Sequence, residues 1–345
     1  MELKEFIYEL PHSLIAAYPA GDRAAARLLV VERASGELRH RGFSDLGNFL
    51  RPGDLLVLND TRVFPARLLG RKESGGKAEV LLLEPFDEGH SSWIALVEAA
   101  KSPRVGGRIL FAGGFFAEVV GDLGKGRYGL RFHHPGNFME WLETLGEPPL
   151  PPYIQRTRAV ASMDSERYQT VYATHPGAVA APTAGFHFTR ELLDELVARG
   201  VERAFLTLHV GPGTFQPVRE EVVEQHRMAG ERYELKAEEA RKIERAKGMG
   251  KRVIAVGSTT TRALEWIALR KGRIEADAGI ARLFIHPGYA FRVIDGLLTN
   301  FHLPGSTPLV LVAAFAGLDL VRSAYREAVE MHYRFYSYGD AMLIL

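Results

Sequence analysis

Residues 177–189 read GAVAAPTAGFHFT, and residues 207–217 read TLHVGPGTFQP. The segment between these two stretches, residues 190–199, has the apolar spacing of one helix. Glycine and proline fix sharp backbone paths, and small side chains let a ligand approach the main chain. Both stretches carry hydroxyls and one imidazole, at His187 and His209. This composition predicts a ligand-binding or catalytic site, with hydrogen-bonded core histidines as the alternative.

Further along the chain, predicted helices and strands alternate. A buried strand is predicted over residues 252–256, then a hydroxyl-rich loop, GSTTT, over residues 257–261, and then a helix over residues 262–271. A strand, loop and helix in this order present free backbone N–H groups to an anion such as a carboxylate or phosphate. The alternative is a loop whose hydroxyls only cap its own helix.

The first half of the chain reads as strands and tight turns. Between residues 66 and 149, short β-rich runs recur at a spacing of about ten residues and are separated by glycine-rich turns. This pattern predicts a small closed β-barrel. We therefore predict a mixed α/β fold of two domains: a larger, discontinuous catalytic domain over residues 1–65 and 150–345, and an inserted β-barrel domain over residues 66–149.

The amino-acid composition excludes several kinds of catalytic and binding site. The chain has 345 residues, 46% of them hydrophobic, a formal net charge of +1 and no cysteine. Thiolate nucleophiles and cysteine-held iron–sulfur clusters are excluded, and a polyanion would have to be held by a local patch. The first residues lack a signal-like apolar stretch and no apolar run is long enough to cross a bilayer. We expect a cytoplasmic monomer with no membrane partner.

Metal and cofactor motifs are missing from the sequence. The histidines show no HExxH or other compact ligand spacing, so we expect no metal site. Neither a Walker-type phosphate loop nor a GxGxxG after a strand is present. We expect no tightly bound cofactor.

Several long motifs, in one order along the chain, resemble the S-adenosylmethionine:tRNA ribosyltransferase-isomerase family of queuosine biosynthesis. The matching segments are LPHSLIAAYPAGDRAAARLLV (10–30), GDLLVLNDTRVFPARL (53–68), PPYIQR (151–156), RYQTVYATHPGAVAAPTAGFHFT (167–189), TLHVGPGTFQPV (207–218), VIAVGSTTTRALE (253–265), DGLLTNFHLPGST (295–307) and YRFYSYGDAM (333–342). The chain departs from the family pattern at Ala229, where a histidine is usual, and at Gly305, where a lysine is common.

The resemblance implies a reaction. The ribosyl unit of S-adenosylmethionine, a co-substrate, is transferred and isomerised onto 7-aminomethyl-7-deazaguanine at the wobble position of tRNA, giving epoxyqueuosine-tRNA and releasing adenine and methionine. The absence of cysteine agrees with a polar rather than a radical use of S-adenosylmethionine. Two other hypotheses stay open from the residues alone: a non-catalytic RNA-binding module and a His-dependent metal hydrolase.

Residue roles follow as hypotheses. His187 and His209 are candidates for acid–base work, because imidazole titrates near neutral pH. Asp60 or Asp340 would hold ribose hydroxyls or the substrate amine, although Asp60 lies in an NDTR segment where a turn-forming role is equally compatible. The methionine carboxylate would bind Arg62 or the hydroxyl loop. The full set of candidate cofactor-binding residues is Arg62, Thr183, Gly257, Ser258, Thr259, Thr260, Thr261 and Arg262.

A set of arginines is predicted to contact the tRNA backbone, since guanidinium groups bind phosphate. The alternative is that they are ordinary solvated surface residues. These candidates are Arg23, Arg27, Arg156, Arg158 and Arg167.

Overall fold

The computed structural model describes residues 1–87, 91–150, 154, 166–211 and 218–345. The chain divides into two compact units. The first unit comprises Met1–Arg62, Arg167–His175 and Ala181–Leu345, and the second comprises Val63–Glu166 and Pro176–Ala180. The second unit therefore takes in more of the chain than the barrel boundaries expected from sequence, residues 66–149. The mixed α/β class with a closed barrel, predicted from the sequence, is confirmed.

Six α-helices lie in the described part of the chain: α1 Phe138–Leu145, α2 Arg190–Ala198, α3 Ala237–Gly248, α4 Ser258–Lys271, α5 Thr307–Ala316 and α6 Leu318–Glu330. The strands are β1 Arg27–Val31, β2 Leu38–Gly42, β3 Leu55–Asn59, β4 Thr61–Val63, β5 Arg67–Lys72, β6 Lys77–Pro85, β7 Ser92–Ala99, β8 Arg108–Leu110, β9 Phe116–Gly124, β10 Arg127–His133, β11 His175–Ala178, β12 Glu202–Leu208, β13 Glu231–Leu235, β14 Val253–Val256, β15 Asp277–Ala281, β16 Gly296–Asn300 and β17 Ala341–Ile344.

The first unit is built on a nine-stranded sheet with the order β15-β13-β12-β3-β14-β16-β17-β1-β2. The four strands β12, β3, β14 and β16 are parallel to one another, and β17 runs antiparallel to β16. Every residue of β3, β14 and β16 is buried, as expected for parallel strands covered on both faces. The carboxyl ends of these four parallel strands consequently lie along one edge of the sheet, which we call the carboxyl edge.

The second unit contains the closed barrel, with the strand order β10-β7-β6-β5-β8-β9. All its neighbouring strands pair antiparallel. Its interior is filled by alternating aliphatic and aromatic side chains, including Trp93, Phe115 and Phe132. A six-stranded barrel with a packed interior has no room for a large ligand inside.

One local prediction was wrong. The hydroxyl loop is not a loop beyond Gly257, because Ser258 already begins α4 and the hydroxyls belong to its first turn. Helix α6 begins in a similar way, with Gly317 at its cap position. Both helices begin after a glycine with positive φ, 96° at Gly257 and 89° at Gly317, a conformation that favours glycine.

In the described part of the chain, no single helix has both the length and the apolar character needed to span a membrane. The α5–α6 pair meets those criteria only when taken together, and it is bent by 117°.

Candidate active site

The carboxyl edge collects predicted site residues from distant parts of the sequence. Asp60 directly follows β3, His209 follows β12 and Gly257 follows β14. On the same edge, Asp340 precedes β17, which runs in the opposite direction. Because neighbouring strands lie about 4.8 Å apart, residues at the ends of adjacent strands are placed close together.

Asp60 carries the carboxylate of the first cluster. Its Oδ1 accepts a hydrogen bond of 2.7 Å from the Thr207 hydroxyl, and its Oδ2 lies 3.6 Å from His175 Nε2. Burial raises the pKa of Asp60, and the hydrogen bond from Thr207 and the charges of His175 and Lys236 oppose that rise. Asp60 also lines a cavity of about 500 Å³ at the edge of β12, together with Tyr172. A carboxylate at the wall of an open cavity can accept hydrogen bonds from a ligand.

His209 lies on the neighbouring strand end. Its Nδ1 is 2.8 Å from the Thr61 hydroxyl. Burial lowers the pKa of His209 to about 4, and the positive charge of Arg232 acts in the same direction. The Asn59 amide fixes this arrangement, because it donates to the carbonyl of Leu208 at 2.9 Å and accepts from that residue's N–H at 3.0 Å. In the NDTR segment, Asn59 therefore has the turn-forming role, whereas Asp60 faces the cavity.

A central cavity of about 170 Å³ lies at the ends of β14 and β16. It joins four predicted residues, Thr183, Gly257, Ser258 and Thr259, with residues that the sequence reasoning did not assign to the site. These other residues complete its wall: Ala181, Pro182, Ala184, Val210, Thr299, Asn300, His302, Leu303, Pro304, Ser306, Pro308, Tyr336 and Ser337.

The four hydroxyls of the first turn of α4 divide into two pairs. Thr260 Oγ1 donates to the carbonyl of Val256 at 2.7 Å, and Thr261 Oγ1 donates to that of Gly257 at 3.1 Å. Ser258 and Thr259 line the central cavity instead. The helix-capping alternative does not hold either, because the Thr260 and Thr261 hydroxyls donate to carbonyls and no side chain caps α4.

Two of the three guanidinium nitrogens of Arg262 are bonded within the described part of the protein, and Nη2 has no partner there. Arg262 is only 4% exposed, its Nη1 forms an ion pair of 2.5 Å with Glu231, and its Nε donates to the carbonyl of Leu283. Glu231 also accepts the N–H of Gly211, two residues beyond His209, at 3.1 Å. The buried pair therefore connects α4 to the turn after β12, and its guanidinium has a structural partner where a ligand carboxylate was predicted.

His187 ends a 3₁₀ turn, Thr183–His187, and is 4% exposed. Burial lowers its pKa to about 4, against an opposing effect of Asp340 and Asn300. Its Nε2 has no hydrogen bond of normal geometry to any residue in the described ranges. The turn requires a glycine at position 185, because a Cβ there would lie 2.1 Å from the Tyr172 hydroxyl oxygen.

Asp340 is 1% exposed and its oxygens are occupied by the protein. They accept from the backbone N–H of Arg27 at 3.0 Å, from the backbone N–H of Arg334 at 2.8 Å and from the guanidinium groups of both residues. This carboxylate therefore fixes the start of β1 and the turn before β17. The predicted ribose-binding role has more support at Asp60, whose carboxylate faces a cavity.

The predicted arginines differ in their exposure and in the groups that they contact. Arg62 is exposed on β4. Arg23 and Arg167 line a narrow cavity of about 20 Å³ beside His187. Arg167 donates to the carbonyls of Ala20 and Gly21.

The guanidinium of Arg27 is also engaged by the protein. It bonds the carbonyls of Met331 and His332 and lies 4.0 Å from the centre of the Tyr333 ring. Arg156 and Arg158 lie outside the described residues.

The structure thus places the predicted residues along one edge but in three neighbouring groups. Asp60 and His209 form one, Thr183 and the start of α4 form the second, and His187 lies in the third.

Sequence reasoning missed His302, Thr299 and Tyr336. The signal for His302 was the segment TNFHLPGST, which joins a strand to a proline-started helix. Its imidazole Nε2 lies 2.8 Å from Thr299 Oγ1, and burial lowers its pKa to about 3. Tyr336 has a positive φ of 76°, which is uncommon for a residue with a side chain and is held here by backbone hydrogen bonding to Phe301.

Among the residues that the structure describes, no cluster of three or more His, Asp or Glu side chains could hold a metal ion.

A family model described as queuosine biosynthesis protein matches residues 3–344. The chain belongs to this family. It is 52% identical to the S-adenosylmethionine:tRNA ribosyltransferase-isomerase of Pelobacter propionicus and 48% identical to that of Caldanaerobacter subterraneus, in both cases over 100% of each chain. It also resembles the crystal structure of S-adenosylmethionine tRNA ribosyltransferase from Thermotoga maritima, with 37% identity, a TM-score of 0.56 and coverage of 99% of this chain and 100% of that one.

Proposed function

We propose that this chain transfers and isomerises the ribosyl moiety of S-adenosylmethionine onto 7-aminomethyl-7-deazaguanine at the wobble position of tRNA, with release of adenine and methionine. The observation that carries the proposal is the full-length similarity to relatives named for this activity, together with histidine, carboxylate and hydroxyl groups at one sheet edge. S-adenosylmethionine is a co-substrate in this account, and tRNA is the acceptor.

The chemistry sets three demands. A base must remove a proton from the ribose carbon next to the sulfonium, departing adenine needs a proton, and the attacking amine must be neutral. His209 and His187 both have a pKa lowered to about 4, so each imidazole is neutral at neutral pH. A neutral imidazole accepts a proton at one nitrogen and donates an N–H from the other.

We assign the base to His209, because it follows β12, the strand next to the one that Asp60 follows, and because Thr61 fixes its ring. Asp60 then holds the ribose hydroxyls or the amine. His187 is buried farther along the edge, beyond the central cavity, and it is the second candidate for the acid–base work. The methionine carboxylate has two candidate sites, Arg62 and the start of α4.

Product release tests the function. The wild-type protein, given S-adenosylmethionine and tRNA carrying the aminomethyl base, should release adenine and methionine in equal amounts; release of neither product would contradict the proposal. His187→Ala and His209→Ala, measured separately, should each lower the rate of adenine release at least about 100-fold, the usual contribution of a general acid or base. Wild-type rates in both variants would remove the acid–base assignment.

The same assay separates the other functional classes. A non-catalytic RNA-binding module would bind tRNA and leave S-adenosylmethionine intact. A His-dependent metal hydrolase would lose its activity after exhaustive chelation, whereas the proposed transferase would retain it.

A further inference from the structure

The central cavity at the ends of β14 and β16 is small. Its volume is about 170 Å³, whereas sites for ligands of drug size span about 300–1,000 Å³. The neighbouring cavity lined by Asp60 is about 500 Å³. A nucleoside therefore has room beside Asp60, and the central cavity fits only a smaller part of a substrate.

Two helices begin at the central cavity. Ser258 and Thr259, the first residues of α4, contribute to its wall, as do Ser306 and Pro308 at the start of α5. The helices are 14 and 10 residues long. The positive dipole end of a helix and its free N–H groups favour an anion. At this cavity the N–H groups come from α4, because the Ser306 N–H and hydroxyl both bond the carbonyl of Leu303 and Pro308 has no N–H.

Unused polar side chains point to a ligand independently of the helix ends. Ser258 is 9% exposed and Thr259 is 5% exposed, and within the described chain neither hydroxyl forms a hydrogen bond, unlike those of Thr260 and Thr261. His302 contributes an imidazole whose Nε2 is bonded to Thr299 and whose Nδ1 has no partner among the described residues. Buried hydroxyls and ring nitrogens normally have partners, so these donors and acceptors fit a bound polar group.

The cavity wall has no Lys, Arg, Asp or Glu among the described residues. An isolated anion buried here would lack a counter-charge, which is costly. A zwitterion brings its own counter-charge. Asn300 is used by the protein itself, because its Nδ2 donates to the carbonyl of Tyr336 at 2.9 Å and its side chain interacts with His187. The apolar part of the wall, with Val210 and Leu303, fits a thioether chain.

We propose that the central cavity binds the α-amino-acid end of S-adenosylmethionine, with its carboxylate at the start of α4. The inference rests on the proposed function. It decides between the two carboxylate candidates in favour of α4, and it orients the co-substrate along the carboxyl edge with the nucleoside towards Asp60 and His209.

Binding of two probes tests the proposal. Calorimetry with the full chain and tRNA would compare S-adenosylhomocysteine with its decarboxylated amine, which lacks only the carboxylate. We expect the amine to bind at least about tenfold more weakly, because hydrogen bonds to a charged group contribute about 1.5–3 kcal/mol. Thr259→Val should reduce this ratio severalfold. Thr260→Val, the same isosteric change one residue on, should leave the ratio unchanged, because the Thr260 hydroxyl bonds Val256.

Three results would overturn the inference: equal affinity of both probes for the wild type, an unchanged ratio in Thr259→Val and Ser258→Ala, or a ratio reduced by Arg62→Ala instead. A change in tRNA affinity alone in Thr259→Val would indicate a phosphate rather than the carboxylate, and would also overturn it. A failure of the proposed function would be seen in a different assay, as absence of adenine release by the wild type. The ratio of the two binding affinities is measured without turnover, so the two failures can be distinguished.

Discussion

Of three histidines at the carboxyl edge, His187 and His302 are buried and His209 is partly buried, and this burial lowers the pKa of each. The value falls to about 4 for His187 and for His209, and to about 3 for His302. A free histidine titrates near 6.5, so imidazole at these positions stays neutral through the physiological range. Residue type alone suggested groups titrating near neutrality, and the environment moves them away from it.

The shifted pKa values predict a pH dependence of stability. A lowered pKa means that the unfolded chain binds protons more readily than the folded one, so stability decreases as the pH falls from about 6.5 towards 4. Each fully shifted histidine contributes a slope of up to about 1.4 kcal/mol per pH unit. Denaturant unfolding measured between pH 7 and 4.5 should show this fall, and His302→Gln should reduce its slope. A free energy of unfolding that stays constant over this range would contradict the burial argument.

Gly305, one of the two departures from the family pattern, has a positive φ of 66°, and a Cβ there would lie 3.1 Å from Ile7 Cδ1. Gly305→Ala should lower the free energy of unfolding by about 1–2 kcal/mol, because a side chain disfavours the left-handed region. Gly21→Ala is the control, since Gly21 lacks a positive φ and a Cβ there meets nothing within 4 Å. Equal stability of the two variants in chemical denaturation would count against a strained backbone at residue 305.

Among the secondary-structure elements, α4 connects two of the three groups of the candidate site: the central cavity and the residues that follow β12. Its first turn lines the central cavity, and Arg262 in its second turn pairs with Glu231, which in turn bonds the N–H of Gly211. The pair is almost completely buried, at 4% and 3% exposure. Glu231 and Arg262 are therefore positioning residues that fix α4 relative to the turn after β12.

Removing one charge of this pair should be strongly destabilising. Glu231→Gln leaves the Arg262 guanidinium buried without its counter-charge, and we expect a loss of about 3–5 kcal/mol in the free energy of unfolding. Glu231→Leu combined with Arg262→Met should recover much of the loss, because no unpaired charge remains. Glu275→Gln, which breaks the more exposed pair with Arg273, should have no measurable effect. A loss in Glu231→Gln as small as that of the control would show that the buried pair is unimportant.

At the scale of the whole molecule, the sequence was sufficient for features set by local pattern. Short β-rich runs predicted the barrel strands, and helical periodicity predicted α2 and most of α4. The sequence was insufficient for features that depend on contacts between distant parts of the chain. β13, β15 and β16 were not predicted, and the roles of Asp340 and Arg262 depend on partners 313 and 31 residues away, which no local pattern encodes.

For the candidate site too, the sequence indicated the residues that lie in local motifs but not those that depend on tertiary neighbours. Motifs with hydroxyl and imidazole side chains identified Thr183, Ser258, Thr259 and His209, which the fold does bring to one sheet edge. His302 and Asn300 could not be ranked from sequence, because a buried histidine and a buried asparagine look like core residues until a cavity is seen beside them. The division of the edge into separate cavities was likewise invisible in the sequence.

The most direct measurement follows the ribose itself. Wild-type protein would be incubated with tRNA carrying 7-aminomethyl-7-deazaguanine and S-adenosylmethionine labelled with ¹³C in its ribose, and the digested nucleosides and free adenine would be analysed by mass spectrometry. We expect a wobble nucleoside that carries all five labelled carbons, and unlabelled adenine in equal amount. An unchanged wobble nucleoside, or one that gains only a methyl group, would contradict it.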